Sequence, residues 1–132
     1  MAVFNLEINN LVKAPFKYEA LFKQLGNATL TMLKIRRPMT VSLAVVAPAA
    51  IRQVNRRYRN KNKATDVLSF EGLNELMICY SKANSQAKEH QHSVKRELSI
   101  LFVHGLLHLL GFEDETDRGA AEMARLVDKV LG

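Results

Sequence analysis

The sequence lacks the features of a membrane protein and of a disulfide-stapled protein. It has only one cysteine, Cys79, so it can form neither an internal disulfide nor a cysteine-based zinc knuckle. It also has no tryptophan. No apolar run approaches the ~18 residues of a membrane span, and the opening residues lack the basic-then-apolar pattern of a signal peptide. We therefore expect a globular protein of the reducing cytoplasm, with no membrane partner.

Acidic residues are missing from one long basic segment. The net charge of the chain is +6, and no Asp or Glu occurs between Ala20 and Thr65. The cations of this segment are Lys23, Lys34, Arg36, Arg37, Arg52, Arg56, Arg57, Arg59, Lys61 and Lys63. Acids collect instead in one short stretch, at Glu113, Asp114, Glu115 and Asp117. A basic half beside a local acidic spot indicates a polyanionic partner and a separate cation site.

Apolar alternation and β-branched content predict four strands. They are expected at residues 3–10, 40–47, 67–70 and 75–80. With 132 residues the chain is long enough for one domain, residues 1–132, with one core. The element order β-α-β-α-β-β-α-α predicts an α+β fold in which helices pack on a mixed four-stranded sheet.

Four helices are expected between and after these strands. The first is expected to open at Ala14-Pro15 and the second at Pro48, because proline is tolerated in a first helical turn. A long helix over 94–110 has a strong apolar stripe, and residues 84–91 are either its early part or a loop. A last amphipathic helix follows a cap at Thr116 or Asp117.

Two histidines lie four residues apart in the helix predicted at 94–110. His104 and His108 therefore project from one face, at the spacing by which a helix binds one metal ion with two imidazoles. Gly111 is expected to end the helix and turn the chain back, which brings Asp114 up as a third ligand. Imidazole and carboxylate suit Zn²⁺, one ion per chain, and three protein ligands leave a fourth position for water.

The residue after the first histidine argues against a peptidase. Zinc peptidases carry a glutamate there as general base, whereas this chain has Gly105. A glycine at this position also allows another part of the molecule to approach the helix closely.

Two blocks of sequence together resemble the YbeY family of ribosomal RNA maturation factors. HGLLHLLGF at 104–112 resembles the family pattern HGxLHLxGYDH, and NRRYR at 55–59 with TDVLSF at 65–70 resembles the LNxxYR and TDVLSF segments. The resemblance extends from about Val41 to the last helix. It implies a metal-dependent endoribonuclease that cuts single-stranded RNA in the maturation and quality control of small-subunit ribosomal RNA.

The family's three metal-binding histidines match His104, His108 and position 114, where this chain has Asp114. Zinc binds carboxylate oxygen and imidazole nitrogen at similar distances, so Asp114 is the expected third ligand. The change alters the charge of the site by one unit. Glu113 or Glu115 takes this role if the turn differs.

The family's functional arginine matches Arg59, after Tyr58 in the second helix. A guanidinium holds a phosphate with a planar fork and stabilises charge that develops during phosphoryl transfer, so Arg59 is the expected catalytic residue. The cations expected to contact RNA are Arg52, Arg56, Arg57, Lys61 and Lys63. The expected partners are single-stranded RNA, ribosomal RNA and the small ribosomal subunit, and not DNA.

Two other functions fit the same residues. One is a ribosome-assembly factor that binds RNA without cutting it and uses a closed structural zinc site. The other is a metal hydrolase of another substrate, such as a peptidase, which Gly105 makes less favourable because zinc peptidases have a glutamate at that position. The residues leave open whether water or a ribose 2′-hydroxyl is the nucleophile.

Overall fold

A computed structural model describes residues 3–12, 16–60 and 65–132 of the chain. Four strands form one sheet in the order β1-β2-β4-β3. They are β1 (Phe4–Asn10), β2 (Met39–Val46), β3 (Val67–Phe70) and β4 (Glu75–Cys79). The pairs β1–β2 and β2–β4 are parallel, whereas β3 runs antiparallel to β4 at one edge. The predicted mixed four-stranded sheet is confirmed.

The helices account for most of the remaining described residues. They are α1 (Glu19–Met32), α2 (Pro48–Arg59), α3 (Tyr80–Glu89), α4 (Val94–Leu109) and α5 (Asp117–Leu131). A short 3-10 turn at Glu71–Leu73 joins β3 to β4. Among the residues described, we find no helix of the length and hydrophobicity that a bilayer crossing requires.

Two expectations about helices are wrong. Residues 84–91 do not form a loop or the start of the long helix, because α3 is a separate helix whose buried residues are Ala83 and Ala87. Such small side chains give no clear apolar period. The first helix starts at Glu19 and not at Ala14-Pro15: residues 16–18 are not helical, and residues 13–15 lie outside the described part.

The sheet separates a large core from a small one. On one face, alternate residues of β2 and β4, such as Val41 and Leu76, pack in the large core with α1, α3, α4 and α5. On the other face, Val46 and Cys79 pack with Ile51 of α2. Helix α4 lies at the centre of the large core and is buried along nearly its whole length. The side of α4 toward β3 carries His104 and His108, which are only half-buried.

Helix α1 comes close to the first strand at Gly26. The ring of Phe4 lies directly against this glycine, where a Cβ atom would overlap three ring atoms. Phe4 is buried and its ring also meets Phe102 edge-on, with centroids 5.9 Å apart. The Phe4 ring therefore has no room to move away from an added methyl group.

We expect Gly26→Ala to lower the free energy of unfolding by about 1–3 kcal/mol, because the overpacking outweighs the gain of up to ~1 kcal/mol in helix propensity. Urea denaturation of both proteins measures the difference. Gly72→Ala is the control, since no atom of the described residues lies within 4 Å of its Cβ position, and we expect it to change stability by less than ~0.5 kcal/mol. A Gly26→Ala protein as stable as wild type would show that Phe4 packs differently.

Candidate metal centre

The site is built on the C-terminal end of α4. Gly111 follows the helix with φ +99°, the left-handed conformation that glycine adopts without strain. The Gly111 N–H donates to the His108 carbonyl and the Phe112 N–H to the Leu107 carbonyl, both at 3.0 Å. This pair of bonds is the Schellman motif, and it confirms the predicted glycine stop. The chain therefore reverses directly after the histidines and returns over them.

This reversal brings His104, His108 and Asp114 together. The two Nε2 atoms lie 3.1 Å apart, and Asp114 Oδ2 lies 3.2 Å from the first and 3.5 Å from the second. A tetrahedral zinc ion with bonds of about 2.0–2.1 Å separates its ligand atoms by roughly 3.3–3.4 Å. The three observed separations lie around that value, so the atoms fit one zinc ion.

The orientation of the His108 ring is fixed by the same reversal. Its Nδ1 lies 3.1 Å from the Phe112 carbonyl oxygen, which can only accept a hydrogen bond. Nδ1 therefore carries the proton, and in the neutral ring Nε2 presents its lone pair toward His104 and Asp114. A backbone carbonyl behind a metal-binding histidine commonly sets its tautomer in this way.

The surroundings of His104 lower the pKa of its ring and so favour the neutral form. Burial lowers its pKa from the ordinary value, and the neighbouring His108 lowers it further, while Asp114 and Asp66 act in the opposite direction. A metal ion binds imidazole only when the ring nitrogen is unprotonated. His104 is therefore ready to act as a ligand at neutral pH.

Glu113 fixes the turn that carries Asp114. Its carboxylate accepts hydrogen bonds from the N–H groups of Glu115 (2.7 Å) and Thr116 (3.3 Å) and from the Thr116 hydroxyl (3.0 Å). Thr116 in turn caps α5 by accepting from the Gly119 N–H at 3.0 Å. A Cβ at Gly119 would overlap Glu113, so this glycine leaves room for the carboxylate. The Glu113 carboxylate is thus engaged with the backbone, whereas that of Asp114 faces the histidines.

Gly105 allows close contact between α4 and the sheet. A Cβ there would lie 2.9 Å from Leu76 Cδ2 and 3.3 Å from Val67 Cγ2. The Ser69 hydroxyl of β3 donates to the Gly105 carbonyl at 3.2 Å. The part of the molecule that approaches this glycine is therefore the sheet, and the contact fixes His104 against the edge strand.

A cleft of about 590 Å³ opens over the three clustered residues. Its walls come from α4, from β3 with the residues before it, from the 113–115 turn and from the end of α2, where Arg59 contributes. Asp66 also lines the cleft, and its carboxylate accepts the Val67 N–H at 2.8 Å. The cleft joins the two sequence blocks, which are separated by more than thirty residues in the chain.

The other cations predicted to contact RNA do not line the cleft or lie outside the described residues. The side chains of Arg52, Arg56 and Arg57 are exposed on α2 and are not among the residues that line the cleft. Lys61 and Lys63 lie outside the described residues.

Sequence reasoning missed the role of Glu113 and Ser69. It considered Glu113 as an alternative ligand, but not as the residue that holds the turn. No recognised capping pattern indicates this role, because the known box places the glutamate after the capping residue and not before it. The contact between Ser69 and Gly105 depends on which strand packs against α4, which the local sequence does not encode.

Comparisons with known proteins show which family the chain resembles. Residues 5–132 match the family model described as endoribonuclease YbeY. A protein named endoribonuclease YbeY from Ureaplasma urealyticum serovar 10 is 40% identical over 94% of this chain and 88% of its own. Another of that name from Mycoplasma mobile is 31% identical over 96% of this chain and 92% of its own.

The fold has a counterpart among solved structures. The solution structure of TM1509 from Thermotoga maritima superposes with a TM-score of 0.64 and 25% identity, covering the whole of this chain and 90% of the other. With the family model matching nearly the full length, the chain belongs to the YbeY family.

Proposed function

We propose that this YbeY-family protein is a zinc-dependent endoribonuclease that cuts single-stranded RNA in the maturation and quality control of small-subunit ribosomal RNA. The observation that carries the proposal is the cleft in which the His104, His108 and Asp114 cluster shares its walls with Arg59. The relatives named endoribonuclease YbeY support the reaction class. In this proposal residues 1–132 act as one nuclease domain in the cytoplasm.

The three clustered residues would hold one Zn²⁺ ion. A zinc ion there would supply a Lewis acid for a phosphate oxygen and would lower the pKa of a water molecule. Asp114 is 40% exposed, so the open side of the cluster faces the cleft and not the core. Glu113 acts as a positioning residue, because it fixes the turn that presents Asp114.

Arg59 would hold the scissile phosphate. It is the last residue of α2, and it is exposed on the cleft wall where a strand of RNA can reach it. Its planar fork can bind two phosphate oxygens and stabilise the negative charge that develops during cleavage. Arg52, Arg56 and Arg57 would attract the RNA backbone, and cleavage would therefore weaken with rising salt.

The number of ligands favours a catalytic over a structural zinc. Structural zinc sites have four protein ligands, whereas catalytic sites have three and an open position. Within the described ranges 3–12, 16–60 and 65–132, no fourth His, Cys, Asp or Glu joins this cluster. The purely structural alternative would require one.

Chelation provides the first test of the proposal. The purified protein should cut a single-stranded RNA oligonucleotide, lose at least ~100-fold of this activity when the metal is removed, and recover it when zinc is restored. Duplex RNA and single-stranded DNA of the same sequence should remain intact. His108→Ala is the matched protein control, which zinc should not rescue.

Two outcomes would contradict the nuclease assignment. RNA that is bound but stays uncut at every zinc concentration would favour the assembly factor. Zinc-dependent cleavage of peptides instead of RNA would favour a hydrolase of another class.

A further inference from the structure

Two of the chain's four histidines lie outside the cleft. They are His90 and His92, and both meet Glu97 at the turn between α3 and α4. Glu97 precedes His104 by seven residues on α4, a distance of about 10 Å along the helix axis. This second cluster is therefore separate from the metal centre described above.

The backbone of the α3–α4 turn places the two rings together. His90 ends α3, Gln91 takes a left-handed conformation with φ +58°, and the His92 N–H donates to the Ala87 carbonyl at 3.1 Å. Ser93 then caps α4 by accepting the Arg96 N–H at 3.0 Å. The turn is thus fixed by hydrogen bonds on both sides, and both imidazoles point at the first part of α4.

The contacts converge on a single oxygen atom. His90 Nδ1 lies 3.0 Å from Glu97 Oε1, and His92 Nε2 makes a still closer contact with the same oxygen. The ligating atoms of all three residues lie within 4.8 Å of one another. Histidine binds metals through either ring nitrogen, so both rings can act as ligands once an ion replaces their direct hydrogen bonds to Glu97.

Glu97 is buried, and its carboxylate is held by the two imidazoles. Its side chain is only 4% exposed, whereas those of His92 and His90 are 21% and 55% exposed. A buried carboxylate is costly unless a cation or hydrogen-bond donors neutralise it. The exposed His90 provides an entry path for an ion from solvent and has room to adjust its ring.

We propose that His90, His92 and Glu97 form a second site for Zn²⁺ or a similar imidazole-binding divalent ion. Two imidazoles and one carboxylate are the same donor types as in the first cluster and suit zinc. In this position the ion holds the end of α3 against the first part of α4. With three protein ligands the site keeps a further position for solvent beside the exposed His90, and because it lies apart from the cleft the ion takes no part in RNA cleavage.

Zinc stoichiometry in four proteins tests the proposal, because all four histidines belong to one cluster or the other. At saturating zinc we expect two ions per chain in wild type and one in His92→Ala. We expect one in His104→Ala/His108→Ala and none when His92→Ala is added to that double variant. Zinc should raise the melting temperature of the double variant but not that of the triple variant.

Glu97→Gln is the matched control for charge. It keeps the shape of the side chain and one oxygen acceptor but removes the carboxylate, so in the double-variant background it should bind no zinc. If it binds as well as its parent, the ion does not use Glu97 and the proposed ligand set is wrong.

A measurement on the unmodified chain covers the case in which a variant fails to fold. Ring-nitrogen NMR of the wild-type protein during zinc titration should show shifts at Nδ1 of His90 and Nε2 of His92, besides those of His104 and His108. Shifts confined to the latter two would overturn the second site and leave the nuclease proposal standing. Shifts confined to His90 and His92 would support the second site and contradict the zinc site of the nuclease proposal.

Discussion

Asp114→Ala is expected to lower RNA cleavage by about 10³-fold and to remove zinc from the first cluster. Asp114 Oδ2 is the atom that completes the triangle with the two imidazole nitrogens, at 3.2 and 3.5 Å. A catalytic metal supplies several kcal/mol of transition-state stabilisation, and each 1.36 kcal/mol corresponds to a factor of ten in rate. Single-turnover cleavage of an RNA oligonucleotide and zinc analysis of the same samples measure both effects.

Asp114→His tests whether the site needs an aspartate at this position or only a third metal ligand. The family pattern HGxLHLxGYDH has histidine at the matching position, so this variant should retain zinc and keep its activity within about tenfold of wild type. It changes the charge of the site by one unit without reducing the number of ligands. The RNA cleavage rate of Asp114→Asn should fall nearly as far as that of Asp114→Ala, because an amide oxygen is a poor substitute for the carboxylate as a zinc ligand.

Glu115→Ala is the control for the acidic stretch around this ligand. Glu115 also lines the cleft, but its carboxylate has no contact with either histidine of the first cluster. We expect this variant to bind zinc and cut RNA as wild type does. If zinc persists in Asp114→Ala and disappears in Glu115→Ala, the ligand assignment is wrong and the neighbouring glutamate takes its place.

Most of the strands and helices are predictable because the spacing of apolar residues indicates which face of each element is buried. The strand at Val67–Phe70 and the start of α2 at Pro48 have the predicted bounds. Helix α3 was missed because its polar sequence buries only alanines, and its stability comes from packing on α4. The start of α1 was misplaced because proline permits a helical first turn without requiring one.

The candidate site was predictable where its parts are close in sequence. His104, His108 and Asp114 lie within eleven residues of one another, and the helical period with a glycine stop places them together. The pairing of His90 with Glu97 was not foreseen, because it depends on a helix that the sequence pattern did not reveal. The contact of Ser69 with Gly105 depends likewise on the packing of β3 against α4.

Arg59→Ala is expected to lower the rate of RNA cleavage by roughly 10²–10³-fold while zinc content and melting temperature stay unchanged. The loss corresponds to the removal of one preorganised donor from a site of charge development. Since Arg59 is exposed, its replacement leaves no cavity in either core. Arg59→Lys should recover only part of the rate, because lysine keeps the charge but not the planar two-point grip on a phosphate.

Arg56→Ala is the matched control for the arginine, since both residues lie on α2 and both are exposed, but only Arg59 lines the cleft. We expect Arg56→Ala to weaken RNA binding and to reduce the slope of log affinity against log salt concentration by about one. The cleavage rate of bound RNA should stay unchanged. Equal behaviour of the two variants would mean that Arg59 is one more backbone contact. Charge stabilisation would then rest on the metal cluster, and the proposed catalytic role of Arg59 would be wrong.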